Sequence, residues 1–280
     1  MAIDDRAGTS RWAVEYWISE DAVQRTEYSD YWNDEQAERE KPFYTVDGDF
    51  SELERYLREV GLVDDVKSCL RTLATPLHGH GIDLAAGTLW AAPPLLGAGP
   101  VQRLYCLEYS KHRLLKLGPR VLEHYGVDPE RVVLVYGSFY ELHLDAGSLD
   151  FAFLSQAFHH ADRPVALLGE LHRVLKPGGV VIIIGEHVLR PRGYALYGAR
   201  ACASLVLPRS AQRWLFGHEL DVRLTMRPTA QDVMPTDRTL GDHAYSRRDY
   251  GALFSDAGFA MRTVRRPHSH YQSFVLERLP

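Results

Sequence analysis

Residues 148–186, SLDFAFLSQAFHHADRPVALLGELHRVLKPGGVVIIIGE, constrain the fold more than any other stretch of this chain, because they spell a strand, a helix and a second strand in succession. Leu149, Phe151, Phe153 and the apolar positions around them suit a strand buried in an α/β sheet. Pro164 stands near a helix start, where its missing N–H costs little. Ala166, Leu167, Leu168, Leu171, Val174 and Leu175 then recur at helical spacing. Lys176-Pro177-Gly178-Gly179 stops that helix and turns the chain, since glycine supplies the left-handed conformations a stop requires. Val180–Ile184 is an unbroken run suited to a strand covered on both faces. Two parallel strands joined by one helix form a βαβ unit.

The same alternation extends from Gly81 to Gly185. The pattern predicts strands at 80–85, 102–107, 131–136, 149–154 and 179–185, with helices near 110–125 and 164–175. Ser246 and Gly258 bracket a further helix as cap and stop, and Phe259–Thr263 and Tyr271–Leu276 read as a terminal pair of strands. Residues 1–75 read as a helical N-terminal segment, rich in Trp12, Tyr16, Trp17, Tyr28, Tyr31, Trp32, Phe43 and Tyr44. Those aromatics either pack the helices onto the domain or form a lid over a site. The main domain then covers 76–280, with a proline-broken insertion at about 186–245 that follows the fifth strand and supplies substrate contacts.

A chain of 280 residues, 45% apolar, has material for a sizeable core. Its net charge of −5 lacks the basic footprint of a nucleic-acid binder. Arg190, Arg192 and Arg200, and Arg262, Arg265 and Arg266, read as solvated basic faces. Cys69, Cys106 and Cys202 are far apart and odd in number, which argues against a disulfide framework or a zinc knuckle. The opening MAIDDRAGTSRW lacks a basic stretch followed by an apolar one, and no apolar run approaches about 18 residues. The expectation is a soluble cytoplasmic protein with neither nucleic acid nor membrane as partner; oligomeric state is not legible.

The run Glu170 to Gly179, E–x–x–R–V–L–K–P–G–G before the fifth strand, resembles the second half of a class I S-adenosylmethionine (SAM)-dependent methyltransferase, of the small-molecule, type 11-like kind. The resemblance implies a Rossmann-like sheet, mostly parallel with an antiparallel C-terminal strand, and SAM as cofactor, converted to S-adenosylhomocysteine. In that family a G–x–G–x–G loop follows the first strand and an acidic residue. Here Asp83 precedes Ala85, Gly87 and Leu89 at the three glycine positions, with Thr88 between the last two. A methyl at Ala85 is tolerated where its backbone stays extended, whereas Leu89 predicts a reshaped loop, and Pro93 and Pro94 a first helix that is broken or starts late. Glu108, 25 residues after Asp83, ends the second strand and would accept the ribose hydroxyls, with Tyr109 beside the adenine. Ser138 and Phe139, after the third strand, would bond the adenine through hydroxyl and backbone N–H.

Methyl transfer needs nucleophile, methyl and sulfur in line, and a base where the acceptor carries a proton. The fourth strand delivers Ser155, Gln156, His159 and His160 to its carboxyl end, and the fifth delivers Glu186 and His187. The resemblance makes Ser155 and Gln156 cofactor neighbours. His159 or His160 is the candidate general base, or a histidine satisfied by hydrogen bonds at a helix start. Glu186 and His187 either orient substrate or serve as base, and Ser155 replaces the aspartate that metal-assisted relatives carry, so no metal is expected. Tyr16, Tyr28 and Tyr31 would close over the cofactor, while His243 and Tyr245, beside Asp242, lie near the acceptor pocket. Trp17 and Trp32 offer faces that favour a sulfonium. SQAF, residues 155–158, is not the tetrapeptide of DNA-base methyltransferases. The reading is transfer of a methyl to oxygen or nitrogen of a small molecule. Two alternatives stay open: SAM held for a cyclisation or rearrangement, and a non-catalytic pseudo-methyltransferase subunit.

Overall fold

The computed structural model describes residues 11–18, 49–188, 199, 202–203, 206–216, 235–237, 242–243, 245–264 and 271–280. Among them the elements run β1 (Ala13–Tyr16), α1 (Ser51–Val60), α2 (Leu62–Leu70), β2 (Gly79–Leu84), α3 (Ala92–Leu96), β3 (Val101–Glu108), α4 (Gly118–His124), β4 (Val132–Tyr136) and β5 (Leu149–Ser155). They continue as α5 (Pro164–Val174), β6 (Leu175–Glu186), α6 (Arg209–Phe216), β7 (Pro235–Asp237), β8 (Asp242–His243), α7 (Arg247–Asp256), β9 (Phe259–Val264) and β10 (Gln272–Arg278). One sheet of eight strands holds the order β1-β4-β3-β2-β5-β6-β10-β9, in which β10 pairs antiparallel with both β6 and β9 and the other pairings are parallel. The strand order reverses between β2 and β5. That reversal opens a crevice at the carboxyl ends of the strands, where ligands of such sheets bind.

Strand periodicity explains why the sheet is covered on both sides. Phe151 and Phe153 of β5 and Ile182 and Ile184 of β6 face α1, α2, α3 and α4. Ala152 and Leu154, and Val181 and Ile183, face α5 and α7. Gly81 lets strands and rings pass closely, since a methyl there would lie 2.1 Å from the Phe151 ring.

The Glu170-x-x-Arg173 pair is a clamp. Arg173 donates to the carbonyls of Leu142 (2.6 Å) and Leu144 (2.7 Å) and to both Glu170 oxygens, while Glu170 accepts from the Leu142 N–H. Arg173 first, then the Leu142 N–H, hold the Glu170 carboxyl below its ordinary pKa. Helix α5 thereby fastens the loop between β4 and β5.

Two expectations change. Residues 13–16 form an edge strand parallel to β4 instead of a helix. Trp12 and Trp17, five residues apart, reach opposite faces of the sheet, as a period of two requires. The Lys176-Pro177-Gly178-Gly179 turn lies inside β6, where a register shift between Leu149 and Phe151 absorbs it. Helix α5 still ends where expected, at Val174. The bridge between Val188 and Tyr245 closes the base of the insertion.

Gly118 opens α4, and a methyl on it would lie 2.4 Å from Leu89 Cδ1 and 3.1 Å from the Arg113 carbonyl. Gly118→Ala is expected to cost about 1–3 kcal/mol by overpacking. Denaturant unfolding checks this, and Leu89→Ala in the same chain should return part of the loss.

Candidate functional site

The carboxyl ends of β2, β3, β4, β5 and β6 place five loops along one rim. After β2, the three glycine positions keep left-handed backbone although two are not glycine: Ala85 has φ 53°, Gly87 φ 57° and Leu89 φ 62°. Ala85 is therefore not extended, which corrects the expectation. The turn is held by the Ala86 N–H donating to Leu107 O at 2.9 Å and the Leu89 N–H to Ala86 O at 2.9 Å. Leu89 is fully buried and fills the space that Gly118 leaves. Thr88 is buried beside it. Helix α3 does start late, at Ala92, with Pro93 and Pro94 in its first turn.

Glu108 ties this loop to the next. Its carboxylate accepts from the N–H groups of Gly87 (2.6 Å), Tyr109 (2.8 Å) and Ser110 (2.7 Å). Asp83 sits beneath, fully buried, with Oδ2 lacking a hydrogen bond, and burial followed by the Glu108 charge pushes its carboxyl well above the usual range. Tyr109 is half-buried against the apolar cluster under α1–α4. Ser138 accepts from the Tyr140 N–H at 3.3 Å, and Phe139 meets the Tyr140 ring edge-on at 4.7 Å.

The densest polar group lies between β5 and β6. Glu186 is fully buried and accepts from the N–H groups of Ala157, Phe158 and His159 at 3.3, 3.1 and 3.1 Å. His159 Nδ1 lies 3.0 Å from Glu186 Oε2, and the Tyr250 hydroxyl of α7 donates to that oxygen at 3.1 Å. Burial pushes Glu186 upward, yet the His159 charge and hydrogen bond, then His160 and Tyr250, hold it below its ordinary pKa. His160 and His187 lie against the His159 ring at 4.3 and 4.9 Å between centroids. Ser155 Oγ is buried and without a hydrogen-bond partner. Gln156 has left-handed backbone (φ 51°), and its side chain accepts from the Tyr56 hydroxyl of α1 at 2.8 Å.

The remaining candidates separate. His243 pairs with Asp162 at 3.1 Å, tying β8 to the loop after β5. Tyr245 is a core ring against Phe158 and Tyr250, its hydroxyl buried and unbonded. Tyr16 is 58% exposed on the edge strand against Tyr136. Trp17 is buried between Tyr105 and His143. Tyr28, Tyr31 and Trp32 lie outside the described residues. Tyr250 and Tyr56 carry site contacts that no local signal announces; only helical spacing marks either as inward-facing. Among the described residues no group of three His, Cys, Asp or Glu side chains is arranged to hold a metal ion.

A family described as a methyltransferase domain matches residues 82–183, the stretch from β2 to β6. The match places a methyltransferase domain at residues 82–183 and leaves the rest of the chain outside it. The chain's relatives include demethylmenaquinone methyltransferases from Clavibacter sepedonicus, 34% identical over 47% of this chain and 53% of theirs, and Geobacillus stearothermophilus, 25% identical over 42% and 50%. The chain thus spans about half the length of the curated relatives it matches. In fold it is similar to magnesium protoporphyrin IX methyltransferase from Synechocystis PCC 6803 with bound S-adenosylhomocysteine, at TM-score 0.55 and 13% identity over 89% of this chain and 97% of that one. A sarcosine dimethylglycine methyltransferase from Galdieria sulphuraria gives TM-score 0.53 at 18% identity over 81% and 88%.

SAM is the cofactor of this class. The methyltransferase domain's residues fit it. The loop keeps three residues in left-handed backbone, among the described residues Gly87 has only Arg113 Nη1 near its absent side chain, at 3.9 Å, and Ser155 offers a buried, unbonded hydroxyl at the rim.

A non-glycine residue at positive φ costs about 1–2 kcal/mol, less the chain entropy that glycine adds. Ala85→Gly is accordingly expected to raise unfolding stability by up to about 1 kcal/mol, measured in denaturant. Glu186→Gln is expected to lose about 2 kcal/mol or more at neutral pH, since an amide cannot accept all five bonds. Because the folded carboxyl titrates below its unfolded value, its contribution is present above the usual carboxylate range and fades as pH falls through the folded value. The stability gap between wild type and Glu186→Gln should therefore narrow in acid.

Proposed function

We propose that this chain is a SAM-dependent methyltransferase whose small-molecule acceptor gives up a proton from oxygen or nitrogen as the methyl arrives. The observation that carries this reading is the buried His159–Glu186 pair at the rim, one loop away from the cofactor turn. Glu186 accepts from Nδ1–H of His159, which assigns the ring's lone pair to Nε2. A lone pair so fixed can take the acceptor's proton, and the carboxylate steadies the cation that results. Fixing of Glu186 by three N–H groups and Tyr250 keeps the pair in one geometry. His160 and His187 form the walls beside the base. His160 is the other candidate base, with Glu186 and His187 as alternatives that orient substrate or serve as base, and Glu186 has its oxygens committed.

When bound, the cofactor supplies a methyl on a positively charged sulfur, open to in-line displacement. Glu108 would receive the ribose hydroxyls while ordering Gly87, and Asp83 supports the loop from beneath. Tyr109, Ser138 and Phe139 would border the adenine, and Ser155 and Gln156 the remainder. Tyr16, Tyr28, Tyr31 and His243 are proposed to meet the acceptor.

One relative, from Syntrophotalea carbinolica, is named a ubiquinone/menaquinone biosynthesis C-methyltransferase. That name favours a second acceptor atom, a ring carbon activated by loss of a neighbouring hydroxyl proton. The same base serves both routes, so analysis of the methylated product, and not the site, separates them.

Calorimetric titration with SAM and S-adenosylhomocysteine is expected to give micromolar binding that Glu108→Ala abolishes. With a hydroxylated aromatic acceptor, His159→Gln should lower kcat by about 10²–10⁴-fold while cofactor affinity holds. Absence of binding to either nucleoside would overturn the enzyme reading in favour of a pseudo-methyltransferase subunit. Binding of SAM without release of S-adenosylhomocysteine would favour the cyclisation or rearrangement.

A further inference from the structure

Gln156 stands in left-handed backbone at φ 51°, a conformation that a long side chain adopts under strain. Its side chain crosses from β5 toward β6. A methyl built on Gly185 would lie 2.5 Å from Gln156 Cγ, so the absent side chain of Gly185 makes the room that Gln156 occupies. Leu62, at the start of α2, closes the same space at 3.2 Å. The cofactor turn follows β2, which lies on the other side of β5 in the sheet, whereas Gly185 directly precedes Glu186 and His187. The glutamine therefore reaches away from the cofactor turn and toward the strand end that holds the His159–Glu186 pair.

A second helix sets the direction of its amide. The Tyr56 hydroxyl of α1 donates to Gln156 Oε1 at 2.8 Å. Burial outweighs that bond and raises the Tyr56 hydroxyl pKa, so at neutral pH the hydroxyl keeps the proton it donates. With its oxygen engaged, the amide turns its nitrogen the other way. The two N–H groups there have no hydrogen-bond partner among the described residues, and the side chain is half-buried. A polar donor drawn partly out of water is costly to leave unmet. Strained backbone persists where the surroundings hold it, and such positions cluster where ligands are clamped.

We propose that the Gln156 side chain is an acceptor contact, its amide N–H groups meeting an oxygen of the small molecule beside the group that His159 deprotonates, and that Tyr56 is the residue that positions it. Gln156 and His159 stand three residues apart on one loop, so the two groups they meet lie close together on the acceptor. The acceptor class is then a molecule whose proton-bearing group has a second oxygen next to it. Ser155 and the Gln156 backbone stay beside the cofactor. This rests on the methyl-transfer reading of the same rim and adds a selectivity that a base alone does not give, because a site built to hydrogen-bond an oxygen rejects the analogue that lacks it.

The test compares catechol with phenol as acceptors for the full chain, one ring with and without the second oxygen, alongside calorimetric titration of SAM. Wild type should favour catechol in kcat/KM. Gln156→Glu keeps an oxygen for Tyr56 and loses both N–H groups, so that preference should fall about tenfold while SAM affinity holds within about twofold. Gln156→Asn suits left-handed backbone and is shorter by a methylene, so it should lose the same preference with no fall in the denaturant midpoint, and it decides the matter if Gln156→Glu fails to fold. Tyr56→Phe should lower the preference about threefold, through KM more than kcat. Equal turnover of the two probes by wild type, turnover of neither with SAM bound, or a preference that survives Gln156→Glu overturns the proposal. A loss of SAM affinity in Gln156→Glu also overturns it and assigns the amide to the cofactor. Failure of wild type to bind SAM is a separate result, which overturns the methyl-transfer reading and this proposal with it.

Discussion

The rim of this molecule depends on one buried carboxylate. Glu186 ends β6, yet its hydrogen bonds reach the loop after β5, the ring of His159 and the hydroxyl of Tyr250 on α7. A charge withdrawn from water costs several kcal/mol unless its lone pairs are met, and an unpaired one is worse. Here five donors meet it, so the loop that carries the histidines has few alternatives. The parallel pairing of Ser155 with Ile184 brings the donors within reach. The geometry of the rim therefore inherits its rigidity from the sheet.

The cofactor turn solves a different problem. Its backbone needs left-handed conformations, which glycine adopts freely and other residues adopt under strain. Ala85 and Leu89 adopt them nonetheless. Leu89 is compensated by burial, and the room for its side chain comes from Gly118, one helix away. A glycine absent from the loop is in this sense matched by one in the helix beneath it. The Glu108 carboxylate adds a second restraint by drawing in the Gly87 N–H.

Much of the sheet was legible because strands covered on both faces must be apolar at nearly every position, as Val180–Ile184 is. Edge strand β1 was not, because Ala13–Tyr16 is short and its two anchoring tryptophans flank it instead of lying within it. The Glu170-to-Gly179 run was the clearest family signal, but the structure makes its charged pair a loop clamp, remote from chemistry. In the site, the sequence placed His159 and Glu186 on one rim, while their direct bond, and Tyr250 from 64 residues further on, emerged from packing. Tyr245 shows the opposite outcome, since a tyrosine beside the expected acceptor pocket turned inward to pack with Phe158 and Tyr250.

By itself, the sequence determined the alternation of strands and helices, the doubly covered sheet and the strand ends at which chemistry must sit. Those follow from side-chain periodicity and turn residues, which act over a few neighbours. Only the tertiary structure decided that Glu186 is saturated, that Ala85 and Leu89 keep glycine-like backbone, and that Gln156 lies over Gly185. Those outcomes depend on contacts between residues tens of positions apart, where burial and hydrogen-bond satisfaction override local preference.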